Sequence, residues 1–359
     1  MQNTITVVFF TYSKGIGTTY HLVNQAISLN QVNQNILFIH GENEQEPGLN
    51  DKLISSVKNT ISEKNLSFFL KNHSNDSFIF HCQGFQQINS LKNINCNDKK
   101  IIITMHSYRN AAVFSRIFPF IYTLLYKKYV NKWIFTSNHS LRFYKKWCFF
   151  SIPTAKIPLG IESFNSEKSS IVLDKFINKE HYYNKNTIYL VYLAQFHKNK
   201  RHALLINKLT PYLEKTNARL ILFGDGPELN NIIKLTKKKN IRHKIIFPGR
   251  ISRHTIHTHL NNASVSMIPS RSETFGHNFL EPIAAKIPVL ASPTGVAEEV
   301  VIDYKNGFLI DFEEESSSEI EKKINLLLKI NSAEIQLENR YKWENIASAI
   351  NRLYIELSI

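Results

Sequence analysis

The sequence predicts an α/β protein built from two doubly wound, parallel-sheet domains, and three observations carry that prediction. Short apolar, β-branched runs alternate with helix-period segments along most of the 359 residues, as expected where crossover helices join parallel strands. The alternation breaks at one place, the polar and turn-rich stretch from Ser163 to Asn186, and then restarts. Residues 263–292 hold a complete strand, glycine turn, helix and strand.

The first strand is read at Thr6-Val-Val-Phe-Phe-Thr11. A turn follows at Tyr12-Ser-Lys-Gly-Ile-Gly-Thr-Thr19, then a helix with Leu22, Ala26 and Leu29 on one face. Gly15-x-Gly17 is not a dinucleotide fingerprint, because Tyr20 stands at the third glycine position. It also lacks the Gly-Lys-Ser/Thr end of a P-loop. Further strands are expected at residues 35–40, 77–81, 100–105, 132–136 and 155–158. The polar break then gives a first domain over 1–165, a linker over 166–186 and a second domain over 187–340. Strands of the second domain are expected at residues 187–193, 219–223, 244–247, 264–268 and 289–291. In the tail, 341–359, Trp343, Ile346, Ile350 and Tyr354 share a helical face that must cover a domain. Two Rossmann-like domains of this kind bind ligands at the carboxyl ends of strands, here facing a central cleft.

Composition narrows the partners. Lys and Arg number 44 against 29 Asp and Glu, a formal charge of +15, which points to a polyanion, an acidic membrane surface or phosphorylated ligands. Cys82, Cys96 and Cys148 are odd in number and lack metal-ligand spacing, so they read as reduced core thiols. The N-terminus lacks the basic start of a signal peptide. The longest apolar segment, Ile117 to Tyr126, is far short of the roughly 20 residues that cross a bilayer. From Lys99 to Ile161 there is no Asp or Glu, while Arg109, Lys127, Lys128, Lys132, Lys145 and Lys146 alternate with aromatics such as Trp133 and Trp147. At least half of those aromatics are expected in the core. Basic residues with interfacial aromatics suit an anionic bilayer. No nucleic-acid module accompanies the charge, so no nucleic-acid partner is expected.

The chemistry concentrates at Ser270-Arg-Ser-Glu-Thr-Phe-Gly-His-Asn-Phe-Leu-Glu-Pro-Ile-Ala-Ala285. Gly276 allows close backbone approach, and the helix that starts there favours an anion at its first amides. Pro282 requires a place close to the helix start. Glu273 and Glu281 bracket this anion site and suit a ligand with hydroxyls on both sides of a phosphate. Either glutamate alone reads more simply, Glu273 as a helix-start acid and Glu281 as a solvated helical residue. The combined pattern, Glu273-x-Phe275-Gly276-x4-Glu281 followed by Pro288-Val-Leu-Ala-Ser292 and Gly295-x2-Glu298-Glu299, resembles the donor signature of family 4 glycosyltransferases of the GT-B fold.

That resemblance covers most of residues 95–310 and implies a retaining enzyme using a nucleotide-sugar donor. It implies that Glu273 holds hydroxyls of the transferred sugar and that Glu281 binds the ribose. Lys200 and the amides of Gly276, His277 and Asn278 would stabilise the leaving phosphate. Gln195 stands where the family has an arginine, so one of its two phosphate cations is missing unless Lys198 or Arg201 supplies it. His106 falls where the family places a histidine beside the transferred sugar. Gly17 matches the family's cleft-facing first loop, and backbone groups of Ile251 are candidates for contact with the base. The final helix would cross back onto the first domain. No Asp-x-Asp pair follows an apolar strand and no His/Cys cluster has metal spacing, so neither metal nor cofactor is expected. The expected acceptor is a glycan, lipid-linked, with the enzyme cytoplasmic and peripheral on the inner face of the membrane. A soluble transferase making a storage or protective glycoside, and a nucleotide-sugar-binding protein without catalysis, are the alternatives.

Overall fold

The computed structural model describes residues 4–10, 16–33, 35–40, 55–92, 94, 98–106, 121, 123–148, 151–161, 186–251, 256 and 259–359. The expected linker, up to residue 185, lies outside them, as do Gly15, Cys96 and residues 107–120 with Arg109. The chain divides into two units, residues 1–162 with 338–359, and residues 163–337.

The first unit holds seven strands: β1 (Thr4–Phe10), β2 (Ile36–His40), β3 (Thr60–Ser62), β4 (Ser77–Cys82), β5 (Asp98–Met105), β6 (Lys132–Phe135) and β7 (Thr154–Lys156). All pair parallel, in the order β3-β2-β1-β4-β5-β6-β7. A parallel sheet is covered on both faces, so its strands are apolar throughout rather than alternating. Phe78 and Phe80 of β4 accordingly pack on one side with Trp133 and Phe135. Ile79 packs on the other with Ile102 and Ile134.

That second side is closed by two helices, Ile16–Val32 and Trp343–Ser358. Leu22, Ala26 and Leu29 are buried against Trp343, Ile346, Ile350 and Tyr354. The tail is fastened by polar contacts too. The Ile161 amide donates to the Tyr341 carbonyl (2.8 Å), and His81, fully buried, links the Tyr354 hydroxyl to Thr104 at 2.6 Å each. A Cβ on Gly160 would overlap the Trp343 ring, so that glycine lets the last helix start where it does. Cys82 and Cys148 are buried free thiols.

The second unit has β8 (Tyr189–Leu193), β9 (Arg219–Phe223), β10 (Ile245–Gly249), β11 (Val265–Ile268), β12 (Val289–Ala291) and β13 (Gly307–Leu309). They form a parallel sheet in the order β10-β9-β8-β11-β12-β13. The three-residue strands β3 and β13 are absent from the sequence reading. Pro282 departs from it: it is the sixth residue of the eight-residue helix His277–Ala284. The helix therefore forgoes the bond that an N–H at 282 would give the Asn278 carbonyl. Gly17 lies within the first turn of the helix Ile16–Val32 rather than in the turn before it.

Candidate functional site

The second sheet reverses its winding between β8 and β11, where consecutive connections leave in opposite directions and open a crevice at the carboxyl ends of the strands. β8 leads into the turn Lys198–Lys200, and β11 leads through Ser270 to Gly276. Lys200 Nζ forms an ion pair with Glu273 Oε1, and these side chains are only 22% and 12% exposed. Partial burial strengthens such a pair over one in open water.

Backbone contacts hold the two loops in register. The Arg271 amide donates to the Asn199 carbonyl (2.8 Å), and Asn199 Nδ2 donates to the Ser272 carbonyl (2.7 Å). The Tyr192 hydroxyl donates to the Lys200 carbonyl (3.1 Å) and lies 2.9 Å from Ser270 Oγ. Burial raises the pKa of that phenol well above the ordinary value, the negative charge of Glu273 adds to the rise, and the Ser270 hydrogen bond opposes it. Tyr192 is therefore a neutral donor at any working pH.

Glu273 is also fixed from its other side. Its amide donates to Thr294 Oγ1 (2.9 Å), and Thr294 is buried. Gly295, at φ 61°, lies so close that a Cβ there would overlap the Phe275 carbonyl oxygen and come within 2.8 Å of the Glu273 Cβ. Gly276 has φ 87° and caps the helix His277–Ala284. Its left-handed conformation suits glycine, and a Cβ would meet the Phe279 ring at 2.6 Å. The amides of His277 and Asn278 stand at the helix start, where an anion is favoured. Asn278 and Glu281 are buried, at 9% and 6% exposure. Burial sets aside the simpler alternative for Glu281, a solvated helical residue.

Gln195 is exposed at the end of β8, its carbonyl accepting from the His197 amide (2.8 Å). Ile251 is half-buried just past β10 and packs on an apolar cluster with Ile256 and Leu260. Arg201, at φ 54°, gives its Nη2 to Glu313 Oε1 at 2.7 Å. His106 and Gly17 belong to the first unit. His106 Nε2 donates to Gln83 Oε1 (2.6 Å), leaving Nδ1 as the acceptor. Burial lowers its pKa to about 4, so its ring is neutral near pH 7. Among the described residues no group of three His, Cys, Asp or Glu is arranged to hold a metal ion.

The structure thus brings Lys200, Glu273 and the Gly276 helix start into one place. Sequence reasoning missed the groups that hold them: Tyr192, Asn199, Ser270 and Thr294. Asn199 and Thr294 each adjoin a residue the sequence had singled out, Lys200 and Gly295, and that adjacency was the available signal.

Residues 174–348 match the family described as Glycosyl transferases group 1, a span that includes Gln195, Lys200, Ile251, Glu273 and Glu281. An uncharacterized glycosyltransferase of Methanocaldococcus jannaschii is 28% identical over 204 residues, 54% of this chain and 56% of that protein. The N-acetyl-alpha-D-glucosaminyl L-malate synthase of Bacillus anthracis is 26% identical over 135 residues, 38% and 35% of the two chains. The chain spans about half the length, or less, of the curated relatives it matches. Among solved structures, HepE of Anabaena in complex with UDP superposes with a TM-score of 0.74 at 15% identity, covering 99% of this chain and 100% of that one. Sucrose-phosphate synthase of Thermosynechococcus elongatus gives 0.71 at 14% identity, covering 98% and 99%. The fold is GT-B.

Proposed function

We propose that the chain is a retaining, family 4-type hexosyltransferase. It moves a sugar from a nucleoside diphosphate to a hydroxyl of a lipid-linked glycan in cell-surface polysaccharide or lipopolysaccharide assembly. The observation that carries the reading is the Lys200–Glu273 pair, formed by residues 73 positions apart across the switch point and beside an anion-favouring helix start. This pairs a cation for a departing phosphate with a carboxylate for a sugar ring that becomes positive as the phosphate leaves.

In the proposed reaction the bond from the anomeric carbon to the phosphate oxygen breaks, and its electron pair leaves with the diphosphate. Lys200 and the amides of Gly276, His277 and Asn278 receive that charge, and no metal or other cofactor takes part. Glu273 binds sugar hydroxyls and balances the positive ring. The acceptor hydroxyl attacks on the face the phosphate leaves, and its proton passes to the phosphate oxygen. Glu281 binds the ribose from its buried position, and backbone groups of Ile251 meet the base. His106 contacts the transferred sugar as a neutral ring and Gly17 lies along the donor, roles that rest on the sequence resemblance. The enzyme works in the cytoplasm, held on the anionic inner face of the membrane.

Thermal shift against UDP, GDP, ADP, CDP and dTDP identifies the base, since ligand at about 100 times its Kd adds about 2.7 kcal/mol of stability. With that diphosphate, Glu281→Ala is expected to weaken binding. Glu273→Gln is expected to keep binding but reduce turnover of radiolabelled donor. Equal weakening of binding in both variants, with turnover spared, would show that the two roles are wrongly assigned. Binding without any turnover in the unaltered protein would favour the non-catalytic alternative, for which the neutral Gln195 is the supporting observation.

A further inference from the structure

We propose that Arg271 supplies the second positive charge that the donor diphosphate requires, in place of the neutral Gln195. The inference rests on the donor-site reading above and concerns the charge balance of that site. Each phosphate of the donor is anionic, yet the site residues identified so far are poor in cations. Lys200 already faces Glu273, and Glu281 adds a second buried carboxyl group. Helix-start amides contribute partial charge only.

Among the described residues, four other basic side chains near the switch point compete for this role with Arg271: Arg201, His202, Arg250 and Lys198. Arg201 is turned to Glu313. His202 adds no charge, because burial, with repulsion from Lys200, lowers its pKa to about 3. Arg250 follows β10, which is two strands away from β8 in the sheet order. Of these described residues Lys198 and Arg271 remain, both exposed.

Arg271 is the better placed of the two. Its amide is bonded to the Asn199 carbonyl, and the next carbonyl, of Ser272, accepts from Asn199 Nδ2. These two contacts hold Arg271 beside the residue preceding Lys200, on the segment that runs through Glu273 to the helix start at Gly276. Lys198 has its carbonyl engaged within its own turn, by the Arg201 amide (3.2 Å), and has no such tie to that segment. A guanidinium also matches phosphate oxygens with a two-pronged set of donors, which an ammonium cannot.

The test is calorimetric binding of whichever of UDP, GDP, ADP, CDP and dTDP the unaltered chain binds, compared across Arg271→Gln, Lys198→Gln and Arg271→Gln/Gln195→Arg. Loss of a charged hydrogen-bond donor is expected to weaken binding about tenfold to a hundredfold in Arg271→Gln. Lys198→Gln is expected to bind as the unaltered chain does. The double variant is expected to recover most of the loss, which a merely structural role for Arg271 would not allow. Unchanged affinity in Arg271→Gln, an equal loss in Lys198→Gln, or no recovery with Gln195→Arg would each overturn the assignment while leaving the donor site standing. Failure of the unaltered chain to bind any of the five diphosphates would overturn the donor-site reading and this inference with it.

Discussion

His202 is a buried imidazole, 2% exposed, whose two ring nitrogens have no hydrogen-bond partner among the described residues. It stacks on Phe196 with ring centroids 4.2 Å apart and tilts against Tyr192 at 4.9 Å. Such a ring is tolerated only while neutral, since an unpaired buried charge is far more costly than an unpaired neutral group. Its folded pKa of about 3 lies below the ordinary 6.5. The stability that its neutral form contributes is therefore complete above about pH 6.5 and lost as pH falls from there toward 3. By linkage, a shift of this size removes about 2 kcal/mol between pH 7 and pH 5. His202→Phe keeps an aromatic ring in the stack and removes the titration. Its urea midpoint should therefore fall less than that of the unaltered chain between pH 7 and pH 5. An unchanged pH slope would show that His202 is not the group that titrates.

At the scale of elements, Gly295 fixes the turn that carries Glu273, and Gly249 gives a built-in comparison. Both have positive φ, 61° and 82°, but a Cβ on Gly249 meets nothing within 4 Å, whereas one on Gly295 collides with Phe275 and Glu273. Gly249→Ala should cost the left-handed backbone penalty alone, about 1–2 kcal/mol. Gly295→Ala should add about 1–3 kcal/mol of overpacking and lower turnover by displacing Glu273. Chemical denaturation of the two variants checks this, and a larger loss for Gly249→Ala would contradict it. This turn also shows what was legible in the sequence. A change from strand to helical spacing at Gly276 was enough to predict β11, the helix His277–Ala284 and β12. The strands β3 (Thr-Ile-Ser) and β13 (Gly-Phe-Leu) were not legible, because a polar residue or a glycine leaves each a shorter apolar run than Ile287–Ala291, which revealed the equally short β12. Nor was the Lys200–Glu273 contact. It exists because β8 and β11 are neighbours across the switch point, and sheet order is decided by packing that no local pattern encodes. Nor could burial of Glu281 be read directly: helical spacing says which residues share a face but not what covers it.

At the scale of the whole molecule, the charge of +15 is not spread evenly along the chain, and the first unit combines it with exposed apolar side chains. Among the described residues no helix is long and apolar enough to cross a membrane. Ile121, Leu124 and Leu125 are 42%, 48% and 57% exposed, and exposed Lys127 and Lys128 follow in the next turn. Lys127 and Lys128 lie in the turn that ends the helical residues 123–126, shortly after Leu124 and Leu125. Thr123, buried on this segment, is hydrogen-bonded by the Tyr144 hydroxyl. That bond ties the segment to the helix Asn138–Trp147, which exposes Arg142, Lys145 and Lys146. Of the aromatics interleaved with these basic residues, Tyr126, Trp133 and Tyr144 are core residues. Among the described residues the apolar part of the proposed anchor falls to Ile121, Leu124 and Leu125. The second unit supplies an internal control, since the helix Leu229–Lys238 exposes Lys237 and Lys238 with no large hydrophobic side chain exposed beside them. Each basic side chain at an anionic surface is worth about 1 kcal/mol. Cosedimentation with vesicles containing phosphatidylserine is expected to fall about tenfold or more in Lys127→Glu/Lys128→Glu, and to fall in Leu124→Ser/Leu125→Ser even at high salt. Lys237→Glu/Lys238→Glu should bind as the unaltered chain does, and neutral vesicles should retain little protein. Equal losses in the two charge-reversal pairs would mean that net charge acts without a defined face, and equal binding to neutral vesicles would remove the electrostatic argument altogether.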